Sequence, residues 1–243
     1  MRTAFKKVLD TLFHPLGLNV ERYFGKELAL KSLVKVAQQN SIDLLLDVGA
    51  NTGQFSLKMI EAGFDKQVIS FEPLSSAYPV LLKNVQHYPN WKAFDRCAIG
   101  NADGEIEINI SLNSHSSSIL QVNKEHTVAA PSAAFVDKEK VAIRKLDSIS
   151  TAFDPFKKIL LKIDTQGFEK NVLAGAERLI EQKVKIIQLE MSLLPLYEGI
   201  VPFEEMVSYL NRLNFKPLFY SPGYVDRTTE QIQQLEGYFI KNK

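Results

Sequence analysis

The sequence predicts an α/β protein, a mostly parallel sheet with helices on both faces, and three observations carry that prediction. After a helical segment near Lys26 to Gln39, short apolar runs alternate with segments of helical periodicity, the pattern of successive βα units. Ile159-Leu160-Leu161 is a continuous apolar run, as a strand buried on both faces requires. Leu44-Leu45-Leu46 leads into Asp47-Val48-Gly49-Ala50-Asn51-Thr52-Gly53, an acid and a glycine-bearing turn ahead of an amphipathic segment, which reads as strand, tight loop, helix.

The strands are expected at Asp43 to Val48, Gln67 to Glu72, Trp91 to Ala98, Ile159 to Asp164 and Val184 to Glu190, with late strands at Phe215 to Tyr220 and Glu236 to Lys241. Helices are expected at Gln54 to Ala62, Ser76 to Gln86, Phe168 to Gln182 and Pro202 to Leu213. The last carries Phe203, Met206, Val207, Leu210 and Leu213 on one stripe, and Pro202 suits a first turn. Between Gly104 and Ser111 polar and apolar residues alternate as in a half-exposed strand, which a purely parallel sheet does not need, so an insertion or hairpin is expected there. Ser111 to Lys140 is polar and aperiodic and reads as a long loop. Residues 1–25 are expected to form an N-terminal helical extension, with Phe5, Val8, Leu9, Leu12 and Phe13 at helical spacing, ahead of one domain over 26–243.

Composition narrows the function classes. Twenty-nine Lys and Arg against 28 Asp and Glu leave a net charge of +1, too little field to gather nucleic acid. Cys97 is the one cysteine, so neither an intrachain disulfide nor a Cys-rich zinc site is available. No apolar run reaches the roughly 18 residues that a transmembrane helix needs, and the first residues lead into no secretory apolar core, so a soluble, cytoplasmic protein is expected.

Glu72 closes the second strand about twenty residues beyond the first loop, where a nucleoside-binding βαβ unit keeps its ribose ligand. The two oxygens of a carboxylate can take both ribose hydroxyls. The loop is G-x-N-x-G rather than the G-x-G-x-x-G of dinucleotide sites. Asn tolerates the left-handed backbone region, so Asn51 can stand where a second glycine would. That spacing opposes a nicotinamide-dependent oxidoreductase, which is kept as an alternative alongside a catalytically silent nucleoside-binding scaffold.

Five blocks in order carry a closer likeness: Asp47 to Gly53, Phe71-Glu72-Pro73, Ala98-Ile99-Gly100-Asn101, Leu146-Asp147-Ser148, and Leu161 to Glu169 followed by Val172 to Ala176. Together they resemble the FkbM family of S-adenosylmethionine-dependent methyltransferases, from about Leu44 to Glu190. The resemblance implies the class I methyltransferase fold, a Rossmann-like three-layer sandwich around a seven-stranded, mostly parallel sheet with an antiparallel last strand. It also implies S-adenosyl-L-methionine as donor, and methylation of a hydroxyl on a carbohydrate or other small molecule. The candidate donor-binding residues are Asp47, Gly49, Asn51, Gly53, Glu72, Cys97, Ala98 and Asp164, with Asp47 expected to meet the donor's ammonium directly or through water.

On the acceptor side, Asp164 and Glu190 end neighbouring strands, where the carboxyl ends line the ligand crevice of open α/β folds. They form either an acceptor clamp or a hard-metal site; Mg²⁺ is open on that ground alone, and no metal ligands are assigned. Asp164, Glu190 and His115, the last in the serine-rich stretch, are the candidate catalytic bases. Glu169 is assigned to the start of its helix, and Gln166 has no role beyond the block it sits in.

Overall fold

The computed structural model describes residues 25–111, 118–120, 135–197, 199–226 and 229–242. The expected extension over 1–25 lies, but for its final residue, outside them, as does His115. In chain order the elements are α1 (Gly25–Gln39), β1 (Leu44–Val48), α2 (Gln54–Glu61), β2 (Gln67–Phe71), α3 (Tyr78–Val85), β3 (Trp91–Ala93), β4 (Ala98–Ile99), β5 (Gly104–Ser111) and β6 (Phe135–Arg144). A 3₁₀ turn at Ser150–Phe153 leads to β7 (Ile159–Ile163), α4 (Glu169–Ala174), α5 (Glu177–Gln182), β8 (Val184–Ser192), α6 (Phe203–Arg212), β9 (Phe215–Pro222) and β10 (Gln234–Lys241).

Seven strands form the main sheet in the order β3-β2-β1-β7-β8-β10-β9. Pairing is parallel from β3 through β8, and β10 runs antiparallel to both β8 and β9, between which it lies. This is the class I methyltransferase arrangement, with the strand order reversing between β1 and β7. Crevices for ligands open at the carboxyl ends beside such a reversal.

The alternation of side chains along a strand divides the core into two layers. Leu44, Leu46 and Val48 of β1 join Ile159, Leu161 and Ile163 of β7 in a layer capped by Val172 and Leu173 of α4, Leu179 and Ile180 of α5, and Met206 and Leu210 of α6. Leu45 and Leu160 face the other way, onto Ala29, Leu33, Val34 and Ala37 of α1 and Met59 of α2. No helix among the described residues is long and apolar enough to cross a membrane.

Three expectations about elements are corrected. The run Trp91 to Ala98 is two strands: β3 pairs with β2, whereas β4 pairs with β6 in a separate three-stranded sheet. That sheet is closed by the β5–β6 hairpin, so the alternating stretch is a hairpin as expected, but its second arm begins at Phe135, inside the stretch read as loop. The predicted helix Phe168 to Gln182 breaks at Gly175-Ala176. A Cβ on Gly175 would sit 1.8 Å from the Gly100 carbonyl oxygen, so the chain passes too close there for a side chain. Asp147 restarts the helix, its carboxylate accepting the N–H groups of Arg178 (3.0 Å) and Leu179 (2.9 Å).

Candidate active site

The carboxyl ends of the strands carry two polar rows across an otherwise apolar sheet. In the first, Ser70, Asp47, Lys162, Gln188 and Tyr238 are successive register partners from β2 to β10. The second lies at the strand ends: Glu72 after β2, Gly49 after β1, Asp164 after β7, then Glu190 of β8 paired in register with Glu236 of β10, and Glu236 with Ser221 of β9. A crevice of about 910 Å³ runs along this edge.

Glu72 is 3% exposed and lines the crevice. Its Oε2 accepts the Asn51 N–H at 2.7 Å and its Oε1 the Leu74 N–H at 2.9 Å, which ties the β1 loop to the β2 loop. Burial raises its carboxyl to about 7 against the opposing pull of those two N–H groups and of Lys162. Each oxygen keeps a further lone pair for a ligand donor. Phe71, Cys97, Ala98, Ile99, Ile108 and Ile119 make the apolar wall beyond Glu72. Burial lifts the Cys97 thiol to about 11, so it stays a neutral wall residue at neutral pH.

The glycines of the loop have separate duties. Gly49 has φ +73°, and a Cβ there would lie 1.8 Å from the Asp164 carbonyl oxygen, so it lets the β1 and β7 ends close up at the strand reversal. Gly53 has φ +90° at the start of α2, and a Cβ there would strike Trp91 and Leu81, so it serves packing behind the loop, off the crevice wall. Asn51 takes the left-handed conformation expected of it, at φ +51°.

Asp47 differs from expectation. It shares a face with Leu45, is fully buried, and does not line the crevice. Its Oδ2 accepts the Ser56 hydroxyl at 2.6 Å, and its Oδ1 faces Lys162 Nζ at 3.0 Å. Lys162 also donates to the Gly49 carbonyl at 2.9 Å and stands 3.7 Å from Asp164 Oδ2. Burial works against its charge, but Asp47 and then Asp164 outweigh it and hold its ammonium above the ordinary lysine range. The pair therefore props the β1 loop from beneath and sets positive charge behind Asp164.

Asp164 and Glu190 are brought together, and the residue joining them is Gln166. Its Nε2 donates to Asp164 Oδ1 at 2.8 Å and to Glu190 Oε2 at 2.9 Å, while its Oε1 accepts the Tyr197 hydroxyl at 2.8 Å. The backbone bends for this, with φ +53° at Gln166 and +101° at Gly167. Glu169 Oε1 holds the bend by accepting the Thr165 N–H (2.9 Å), the Thr165 hydroxyl (3.2 Å) and the Gly167 N–H (3.1 Å). Glu169 thus clamps the loop before its helix as well as starting it. Gln166 and Lys162 were the site residues missed in the sequence; the available signal was that each polar side chain sits within or against a buried strand. Among the described residues no group of three or more His, Cys, Asp or Glu is arranged to hold a metal ion.

Comparison with known proteins places these features in a family. The family model described as the methyltransferase FkbM domain matches residues 47–217. The chain is 25% identical over 173 residues to the 2-O-methyltransferase NoeI of Sinorhizobium fredii, covering 69% of this chain and 70% of that one. It is 23% identical over 172 residues to Methyltransferase 1 of Beauveria bassiana, covering 66% and 68%. Among solved structures it is similar to the 1,6-didemethyltoxoflavin-N1-methyltransferase of Burkholderia thailandensis (12% identity, TM-score 0.44, 100% of this chain and 89% of that one).

Proposed function

We infer that this chain, which belongs to the FkbM methyltransferase family, uses S-adenosyl-L-methionine to methylate a hydroxyl of a carbohydrate or other hydroxylated small molecule. The observation that carries the donor assignment is Glu72, a buried carboxylate anchored by two backbone N–H groups at the crevice edge of β2. The residues present fit the donor. Glu72 would hold the ribose diol, the apolar wall from Phe71 to Ile119 would take the adenine, and the Gly49 loop would hold the methionine end.

When bound, the donor supplies an electrophilic methyl group on a sulfonium. This chain's own residues do the rest: they fix the in-line approach, exclude water and remove the acceptor's proton. Asp164, whose side chain is 35% exposed, is the base, oriented by the Gln166 amide and backed by Lys162. Its carboxylate takes the hydroxyl proton as the oxygen attacks. Glu190 lies one strand further along and clamps the acceptor. NoeI is named as a 2-O-methyltransferase, which favours oxygen as the atom methylated here.

The test is S-adenosylhomocysteine formation from S-adenosylmethionine across a panel of sugars, glycosides and polyols, with NADH binding measured alongside. Turnover with a hydroxyl acceptor that Asp164→Asn reduces at least about a hundredfold, with donor affinity retained, is expected. Binding of NADH without binding of S-adenosylhomocysteine would overturn the reading.

A further inference from the structure

Ser118, Ile119 and Leu120 lie against the loop that carries Asp164 and Gln166, although Ser118 precedes Gln166 by 48 positions in the chain. Ser118 is 2% exposed and bridges to Asn109 of β5: its carbonyl accepts the Asn109 N–H at 2.9 Å and its own N–H donates to the Asn109 carbonyl at 3.1 Å. The side-chain amide of Asn109 faces the carbonyls of Ser118, Ile119 and Leu120, at 3.2, 3.4 and 3.4 Å. Ile119 lines the crevice, and Leu120 Cδ1 fills the space beside Gly167, where a Cβ would meet it at 2.9 Å. These three residues are therefore fixed on one side by β5.

Their other side reaches Gln166. The Ser118 hydroxyl donates to the Gln166 carbonyl at 2.6 Å and accepts the Leu120 N–H at 3.0 Å. That bond falls on a residue that needs holding. Gln166 has φ +53°, a region that a non-glycine residue keeps only where its surroundings enforce it, and Gly167 continues the bend at φ +101°. Glu169 grips the N–H groups of Thr165 and Gly167 on either side, and Ser118 grips the carbonyl between them. The Gln166 side chain depends on this bend, because its Nε2 donates to Asp164 at 2.8 Å and to Glu190 at 2.9 Å. Two bonds of that length leave little slack, so a swing of the backbone would carry the amide off one carboxylate or both.

We propose that Ser118 is a positioning residue for methyl transfer: its hydroxyl locks the left-handed turn at Gln166, and through that turn the amide bridge that orients Asp164 and Glu190 toward the acceptor. Removing the hydroxyl takes the donor from the Gln166 carbonyl and the acceptor from the Leu120 N–H in one step, and lets the turn relax. That the bridge serves catalysis rests on the reading of Asp164 as the base; that Ser118 holds the bridge does not.

The experiment compares Ser118→Ala with Ser118→Thr in the full chain. Its first readout is the Gln166 side-chain amide in ¹H–¹⁵N spectra, assigned by its loss in Gln166→Leu. With both protons on carboxylates, the native pair should lie downfield of solvent-exposed glutamine amides and exchange slowly with water. Ser118→Ala should return the pair toward the solvent-exposed position and speed its exchange about tenfold or more, and Ser118→Thr, which keeps the hydroxyl, should restore it. A hydroxyl that only stapled residues 118–120 to β5 would lower the melting temperature without moving this amide. The second readout is turnover with an acceptor from the panel of sugars, glycosides and polyols. Ser118→Ala should lower kcat about tenfold or more while affinity for S-adenosylhomocysteine stays within about twofold. An amide unmoved in Ser118→Ala, an amide moved equally in Ser118→Ala and Ser118→Thr, or an unchanged kcat beside a displaced amide would overturn the proposal. A native chain that binds no S-adenosylhomocysteine, or turns over no acceptor, counts against the methyltransferase reading instead, and the amide still decides whether Ser118 holds the bridge.

Discussion

Glu72→Gln separates a donor-binding carboxylate from a structural one. In the native chain both carboxylate oxygens already accept backbone N–H groups, from Asn51 and Leu74, and each has a lone pair left for a ribose hydroxyl. A glutamine has one accepting oxygen, so its NH₂ group faces a backbone N–H on one side and presents the wrong polarity to one hydroxyl. Hydrogen bonds to charged groups contribute about 1.5–3 kcal/mol each. Losing one hydroxyl partner and the charge on the other comes to about 2–4 kcal/mol, or about 30- to 1,000-fold in Kd for S-adenosylhomocysteine. That loss belongs to pH 8. With the native carboxyl raised to about 7, about nine-tenths of it is protonated at pH 6. Native affinity should then drop about tenfold while the variant's stays level. The gap between the two proteins therefore narrows as pH falls. Calorimetric titration at pH 6 and 8, with circular dichroism as a check on folding, reads both effects. An undiminished affinity in Glu72→Gln, or an equal loss at the two pH values, would refute the argument.

Lys162→Met leaves Asp47 buried without its countercharge and should lower stability by about 3–5 kcal/mol in urea unfolding, much of it recovered when Asp47→Leu is added. Gly49→Ala, with φ +73° and a Cβ 1.8 Å from a carbonyl oxygen, should lose about 3 kcal/mol or more, seen as a lower melting temperature. Gln166→Leu should cut turnover about 10- to 100-fold at nearly unchanged S-adenosylhomocysteine affinity, because it frees Asp164, Glu190 and Tyr197 from one another. Burial raises the Glu169 carboxyl to about 7 in the fold, from an ordinary 4.5. Between those values the folded chain holds a proton that the unfolded chain has lost, so stability falls as pH rises from about 4.5 to about 7. Glu169→Gln keeps the accepting Oε1, and it should flatten that slope by roughly 3 kcal/mol between urea unfolding at pH 4.5 and pH 8.

The strands of the main sheet were readable because burial on both faces writes continuous apolar runs, as at Leu44-Leu45-Leu46 and Ile159-Leu160-Leu161. The place of Glu72 at the crevice edge was readable from its distance along the chain from the Gly49 loop. Asp47 was misjudged for a physical reason: the alternation that sends Leu44 and Leu46 to one face sends Leu45 and Asp47 to the other, where Lys162 waits on the next strand. That partnership depends on β1 lying beside β7, and a register between strands more than a hundred residues apart is not written locally. Gln166 was missed likewise, since two of its three side-chain partners, Glu190 and Tyr197, come from β8 and the segment after it. The break at Gly175 follows from the backbone of Gly100 passing against it, again a contact that no local pattern announces.

The position of β10 has a consequence for how the molecule comes to be made. It is the last strand in sequence yet lies between β8 and β9, hydrogen-bonded to both. On a ribosome, β8 and β9 emerge before the strand that joins them, and until it arrives β8 offers an open edge of the kind that invites pairing with other chains. Glu236 and Gln234 arrive only with that joining strand. The Glu72 side of the crevice can therefore be assembled while the Glu236 side is still missing. A nascent chain caught at that stage would be half a crevice with an adhesive edge rather than a slow enzyme.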